Sequence, residues 1–303
     1  MILNLLAIAL LPLVMIGIIN RTKAIMVGRK GQSILQPLYH FWKLLAKSEV
    51  RSHTGGFLTV WAPLVAMAAT VVAAFFVPML TQRSILAFRG DFLLLMYLLA
   101  LAKGAMVLAA LDTGSSFEGM GASREISFTA FLEPAMILVL GSLIYAIGIR
   151  SVSDLVIIHA INFNDVWSIM IAVLTALALF VMLLVESARV PFDDPATHLE
   201  LTMIHEVMIL DYSGFSLALI HYTAALKMLI YASLISYLII PAGLSLSPIL
   251  YTMILVIICI IIGKLESLTA RFRMTRNLEF VLVPVTISLL VMAALIARDF
   301  GAW

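Results

Sequence analysis

The chain has 303 residues, of which 63% are hydrophobic and only 12% charged, with a mean hydropathy of +1.12. A water-soluble domain carries about 25% charged residues, so a soluble globular fold is excluded and an all-α, polytopic membrane protein is expected. The formal net charge of +2 says little alone; no nucleic-acid partner is expected, and the one cysteine, Cys259, can form neither an intrachain disulfide nor a zinc motif.

Eight apolar stretches reach the roughly 20 residues that a helix needs to cross a bilayer: 1–20, 57–80, 91–112, 127–149, 165–186, 215–240, 246–266 and 279–298. They are continuous rather than alternating, which argues for helices over barrel strands. The first lacks a basic leading segment and a small-residue cleavage site, so it reads as a retained span rather than a signal peptide. The whole of 1–303 reads as a single integral membrane domain. No connection is long enough for a soluble domain, and there is no glycine-rich phosphate loop, CxxC pair or nucleophile elbow.

The connection 21–56 holds seven basic residues. After Pro37 it has helical periodicity, with Leu38, Phe41, Trp42 and Leu45 on one face and Lys43 and Lys47 on another, the pattern of an amphipathic helix at the membrane interface. It also suits a docking surface.

In the third span Lys103 stands near the centre. An unpaired lysine at that depth costs roughly 2.5–3.5 kcal/mol on insertion scales, so it is expected to meet a carboxylate. Asp112, Glu118, Arg124, Glu125 and Glu133 follow, with Gly114, Gly119 and Gly121 expected to break the helix between them. Glu125 and Glu133 then lie on the fourth span, about 80° apart around it, and Pro134 loosens the backbone there. Two readings stand: internal salt bridges (Lys103 with Glu133, Arg124 with Glu118), or a chain of titratable groups able to pass protons, extended by Lys227 and by Lys264 with Glu266. Lys264 and Glu266 read as interfacial.

The segment Glu186 to Gly214 holds six of the 17 acidic residues, and its connection, 187–214, reads as acidic and packed. Asp194 and Pro195 look like an N-cap and first position of a helix running to about Leu210. Arg189, Glu186 and Asp193 are expected to pair around the VPFDDP turn. His198 and His205 are seven residues apart and Glu206 follows, but HLELTMIHE is not HExxH, so no metal site is expected. Asp193, Asp194, Glu200, Glu206 and Asp211 suit either a proton entry or contacts with a basic partner.

Twelve basic residues fall in 21–56 and the connections on the same side, against Arg83, Arg89, Arg150 and Arg298 on the other. By the positive-inside rule, the long connections are cytoplasmic and both termini outside.

ESARVPFDDPATHLELTMIHEVMILDYSG resembles the corresponding loop of the complex I subunit 1 family, and more closely its branch in group 4 membrane-bound [NiFe] hydrogenases of the formate hydrogenlyase and hydrogenase-4 type. LQPLYHFWKLL and LDTGSSFEGMGASREI resemble two further motifs of that family, and the eight spans agree in number and order. The resemblance implies a subunit of the inner (cytoplasmic) membrane that anchors a peripheral redox arm and links electron transfer to proton or sodium translocation. Its implied partners are hydrogenase large and small subunits, iron–sulfur subunits and antiporter-like membrane subunits. The [NiFe] site and iron–sulfur clusters would be theirs, and no cofactor would be bound by this chain. By motif position, coupling falls on Glu118, Glu125, Glu133, Glu186, Asp193, Asp194, Glu200, Glu206 and Asp211; joined with the reading of the charged residues in the spans, the candidate coupling path is Lys103, Asp112, Glu118, Arg124, Glu125, Glu133, Glu186 and Lys227. The arm interface falls on Gln36, Pro37, Lys43, Arg189, Asp193, Asp194, His198, Glu200, His205, Glu206 and Asp211. Quinone-reducing members read more like APFDLPEAESEL at the acidic loop, so VPFDDPATHLEL favours the hydrogenase branch. Two alternatives stay open: the quinone-site subunit of complex I, and a stand-alone ion transporter.

Overall fold

A computed structural model describes residues 2–50, 52, 54–81, 83–148, 150–157, 166–194, 203–240 and 248–300. Eight of its helices are long and apolar enough to cross a membrane: α1 (Ile2–Met26), α3 (Phe57–Phe76), α4 (Asp91–Asp112), α5 (Ser116–Ile147), α7 (Val166–Glu186), α8 (Gly214–Ile239), α9 (Pro248–Leu268) and α10 (Met274–Phe300). The shorter α2 (Gln36–Leu45) and α6 (Asp154–Ile157) lie in connections, and no strand occurs among the described residues. With no water in hydrocarbon, backbone amides must be satisfied within each segment, and helices do this.

The order of spans matches the sequence reading; the boundaries shift by up to six residues, except at α5. α5 begins at Ser116, eleven residues before the expected 127. Only Gly114, at φ +66°, ends a helix; Gly119 and Gly121 lie inside α5. A helical glycine costs about 1 kcal/mol, and at Gly121 packing requires it: a Cβ there would stand 2.4 Å from Val207 Cγ1 and 3.0 Å from the Ile204 carbonyl. The expected helix from Asp194 to Leu210 also changes. In its described part, only the 3-10 turn Glu206–Ile209 is helical; residues 195–202 lie outside the described residues.

α8 is the mast of the bundle, the most buried of the eight spans, packed by α1, α2, α3, α7 and α9. Around it α3 pairs with α4, α4 with α5, α5 and α7 with α10, and α1 with α9. At one end, Asn4 binds the connection after α3, donating to the Arg83 carbonyl at 2.9 Å and accepting from the Leu80 and Thr81 amides at 3.2 Å. There too, Asp91 accepts the Val152 N–H at 2.8 Å. At the other end α2 lies across α1 and α8, with the Phe41 ring 5.3 Å from that of Tyr222. The inward face is Leu38, Phe41 and Leu44; Trp42, expected on it, is 63% exposed. The packing of Phe41 on Tyr222 sets the phase of the helix, and Leu44 rather than Trp42 falls inward.

Candidate functional site

Four spans bring charge together in the middle of the bundle. Lys103 of α4 lies with its ammonium 2.6 Å from Glu186 at the end of α7 and 3.4 Å from Glu125 of α5. Lys103 therefore meets two carboxylates, as its depth requires, but neither is the expected Glu133. Lys227 of α8 is buried within electrostatic reach of Glu186 and Glu125. The cluster thus holds two cations and two anions, close to the balance a low-dielectric interior demands. Glu133 stands on the rim of a groove of about 80 Å³ between α4 and α5, whose walls include Lys103, Glu186 and Tyr231.

The described parts of the acidic connection lie beside this cluster, with His205 in electrostatic reach of it. Asp193 is the connection's hub: Oδ2 accepts the backbone N–H groups of Ile204 and His205 at 3.1 and 3.0 Å, Oδ1 accepts that of Asp194 at 3.0 Å, and Arg271 lies 2.8 Å from Oδ1. Arg189 pairs with Glu266 at 3.4 Å, which also holds Lys23 at 2.8 Å. The expected pairing among Arg189, Glu186 and Asp193 is thereby corrected, since each finds its partner on another helix or connection. Glu266 is also buried rather than interfacial; Lys264 alone is exposed. Arg124 donates to the Met203 carbonyl at 2.8 Å, fastening α5 to the connection, and the expected bond to Glu118 is replaced by one in which Glu118 accepts the Asp211 N–H at 3.2 Å.

Near the start of α3, Asp112 accepts the Thr59 N–H and hydroxyl, each at 3.1 Å, and Tyr212 donates to the Thr59 carbonyl at 2.9 Å. Burial, then the carboxylates of Glu118, Asp112, Asp211 and Glu49, hold the Tyr212 phenol well above its ordinary range. Asp112 and Glu118 are thus tied into helix-end structure, apart from the lysine cluster.

Between α1, α2, the 187–206 connection and α8 opens a cavity of about 350 Å³, within the range of small-molecule sites. One side is apolar, with Leu13, Ile16, Phe41 and Leu44; the other carries Arg189, His205, Glu206, His40 and His221. Gln36 and Pro37 line it as well, whereas Lys43 lies exposed on the outer face of α2. Burial and then the neighbouring charge of Asp193 push the Glu206 carboxyl up to about 7, with Arg189 opposing. Burial keeps the His205 imidazole below its usual value; Lys227 and Lys103 add to this, and Glu125 and Asp193 oppose it. His205 therefore borders the open cavity while feeling the buried lysine cluster. Among the described residues no group of three or more His, Cys, Asp or Glu side chains is placed to hold a metal ion.

Of the expected site residues, Lys103, Glu125, Glu186 and Lys227 converge, and Arg189, His205 and Glu206 share the cavity wall. His198 and Glu200 lie outside the described residues. Glu266, Arg271, His40 and His221 were not singled out as site residues. No sequence signal marks Glu266, because a carboxylate two residues from the end of a span reads the same whether it meets headgroups or a buried cation.

The model of the family described as NADH dehydrogenase matches residues 1–297. Hydrogenase-4 component C of Escherichia coli K12 is 34% identical over 227 residues, covering 75% of this chain and 70% of that protein. Formate hydrogenlyase subunit 4 of the same organism is 27% identical over 269 residues, covering 85% of each. A chain from the structure of the membrane-bound sulfane sulfur reductase, an archaeal respiratory membrane complex, superposes with a TM-score of 0.80 over 96% of this chain and 98% of its own, at 21% identity, a likeness of fold.

Proposed function

The chain belongs to the NADH dehydrogenase family, that of complex I subunit 1, and on that footing we propose that it is the membrane-anchor and coupling subunit of an energy-converting group 4 [NiFe] hydrogenase complex. In this reading it lies in the cytoplasmic membrane with the α2 side toward the cytoplasm. The hydrogenase and iron–sulfur subunits sit on that side and carry the redox centres; antiporter-like subunits lie beside it in the bilayer. The names of the two Escherichia coli relatives favour the hydrogenase branch.

The observation that carries the coupling role is the position of His205, on the wall of the cavity and within electrostatic reach of Lys103, Lys227 and Glu125. A change of charge at the mouth of the cavity alters the protonation of Glu206 and His205. It thereby alters the field on the Lys103–Glu186 pair, which is only marginally balanced in a low dielectric. Protons or sodium ions then move in response to electron transfer in the arm.

The test uses Glu206→Gln and Glu133→Gln in the intact complex, reconstituted in vesicles. Both are expected to keep the subunit composition while lowering turnover or ion movement. Unchanged coupled activity in both removes these residues from the path. A purified complex without a nickel–iron large subunit ends the hydrogenase assignment.

The size and half-apolar lining of the cavity favour one second reading, a quinone site. Its test is inhibition: block of turnover by a quinone-site inhibitor supports it over the hydrogenase role.

A further inference from the structure

Of the four carboxylates gathered around Tyr212, two have hydrogen-bond donors of their own. Asp112 accepts the Thr59 N–H and hydroxyl at the head of α3, and Glu49 accepts the Ser216 hydroxyl. Glu118 and Asp211 are not balanced in this way. Glu118 is 1% exposed; its Oε1 accepts the Asp211 N–H at 3.2 Å, but its Oε2 is buried and accepts no hydrogen bond. The charge that Glu118 feels is another anion, the Asp211 carboxylate. Among the described residues no ion pair joins either of them to a cation.

Thr113 does not supply the missing proton. Its hydroxyl stands beside the Glu118 carboxyl, but a hydroxyl has a single proton to donate, and here it goes to the Ala110 carbonyl at 2.9 Å. Thr113 therefore turns a lone pair toward Glu118. Oxygen acceptors from Glu118, Thr113 and Asp211 meet with no donor between them, and a buried charge needs either a partner or a metal ion.

Access comes from a cavity of about 60 Å³ whose wall includes Asp211, Tyr212 and Thr59. It has room for a few waters, hence for an ion arriving with part of its shell, and is too small for an organic ligand of ordinary size. An all-oxygen donor set suits a hard cation. Calcium takes about 6–8 oxygens, and magnesium keeps several waters in a strict octahedron. Two carboxylates and one hydroxyl, at a place as closed as Glu118, satisfy neither. A monovalent ion of sodium's size brings half the charge to be matched and sheds water more readily.

We propose that Glu118, Thr113 and Asp211 form a sodium-binding site where the end of α4 and the start of α5 meet the connection leading into α8. The ion completes the coordination that Glu118 Oε2 lacks and fastens α5 to that connection. The site holds its ion whether or not the ion moves, so it goes beyond the coupling role and does not rest on it.

The experiment measures equilibrium binding of radioactive sodium to the purified complex in detergent, at constant ionic strength with choline chloride as the balance. Saturable binding is expected in the parent complex. Glu118→Gln and Thr113→Val are each expected to raise the half-saturating concentration of one site tenfold or more, while any sodium bound by other subunits is common to parent and variants and cancels. Thr113→Val keeps the outline of the side chain and removes only the oxygen, so it decides the matter if Glu118→Gln fails to assemble. Identical isotherms in the parent and Thr113→Val overturn the proposal and leave a proton on Glu118. Displacement of the ion by equimolar magnesium or calcium but not by lithium overturns the choice of a monovalent cation. Turnover is not read, so failure here is distinguishable from failure of the coupling role.

Discussion

Replacing Lys103 by methionine leaves Glu186 and Glu125 facing each other without the ammonium that now lies 2.6 and 3.4 Å from them. The lysine and Glu186 side chains are only 10% and 8% exposed, so water cannot take over its role. Removing one partner of a buried pair costs about 3–5 kcal/mol. At about 1.4 kcal/mol per tenfold, that is roughly a 150- to 4,000-fold drop in the folded-to-unfolded ratio. Removing the charge of Glu186 as well, in Lys103→Met/Glu186→Gln, takes away the charge left stranded, and replacing both partners of a buried pair is often close to neutral. The double variant is therefore expected to be more stable than Lys103→Met alone, although Glu125 keeps it below the parent. The assay is a double-mutant cycle on the purified complex in detergent, following denaturant unfolding by the fluorescence of the four tryptophans. Single effects that add to within about 0.5 kcal/mol would refute the reasoning, because they mean that Lys103 and Glu186 do not hold each other.

Asp193→Ala removes the acceptor of three backbone N–H groups and the partner of Arg271. Hydrogen bonds to a charged group contribute about 1.5–3 kcal/mol each, so a large loss of thermal stability and release of the peripheral subunits are expected, with Asp193→Asn intermediate in both. The cavity also gives a pH signature. Glu206 is raised to about 7, so its contribution to folding is fully present below its ordinary value of 4.5 and is lost as pH rises through 7. His205 is lowered from 6.5, so its contribution is present above 6.5 and is lost on acidification. Coupled activity should inflect near pH 7. Arg189→Gln, which removes the charge holding Glu206 down, should move the inflection to higher pH, and Glu206→Gln should abolish it. An inflection that survives in Glu206→Gln contradicts the assignment.

The spans were legible because about 20 consecutive apolar residues leave a chain few choices in a bilayer. The need of Lys103 for a carboxylate was legible for the same reason: cost dictates pairing. Which carboxylate was not legible. Glu186 is 83 residues away, and only the packing of α5 against both α4 and α7 selects it over Glu133. Gly119 and Gly121 misled because a glycine inside a helix and a glycine ending one look alike until Val207 and Ile204 are seen against Gly121. Trp42 was turned outward because the periodicity of α2 fixes a stripe but not its phase, which is set by where Phe41 meets Tyr222. Glu266 was hidden because a charge near the end of a span has the same sequence signature whether it reaches the headgroups or a buried partner. Its two cations come from α1 and from the acidic connection, far away in the chain.

The mast α8 is the least apolar of the eight spans as well as the most buried, and it carries His221 and Lys227 in its length. Left alone in lipid it would be the span most prone to slip back toward water. Its neighbours α1, α3 and α7 are all synthesised before it, and only α9 comes after. Ribosomal order thus delivers α8 into a cradle already standing in the membrane, so that Lys227 enters beside Glu186 rather than beside acyl chains. Moving the α8 segment ahead of α7 by circular rearrangement of the gene would put the same sequence into the bilayer before its counter-charge exists.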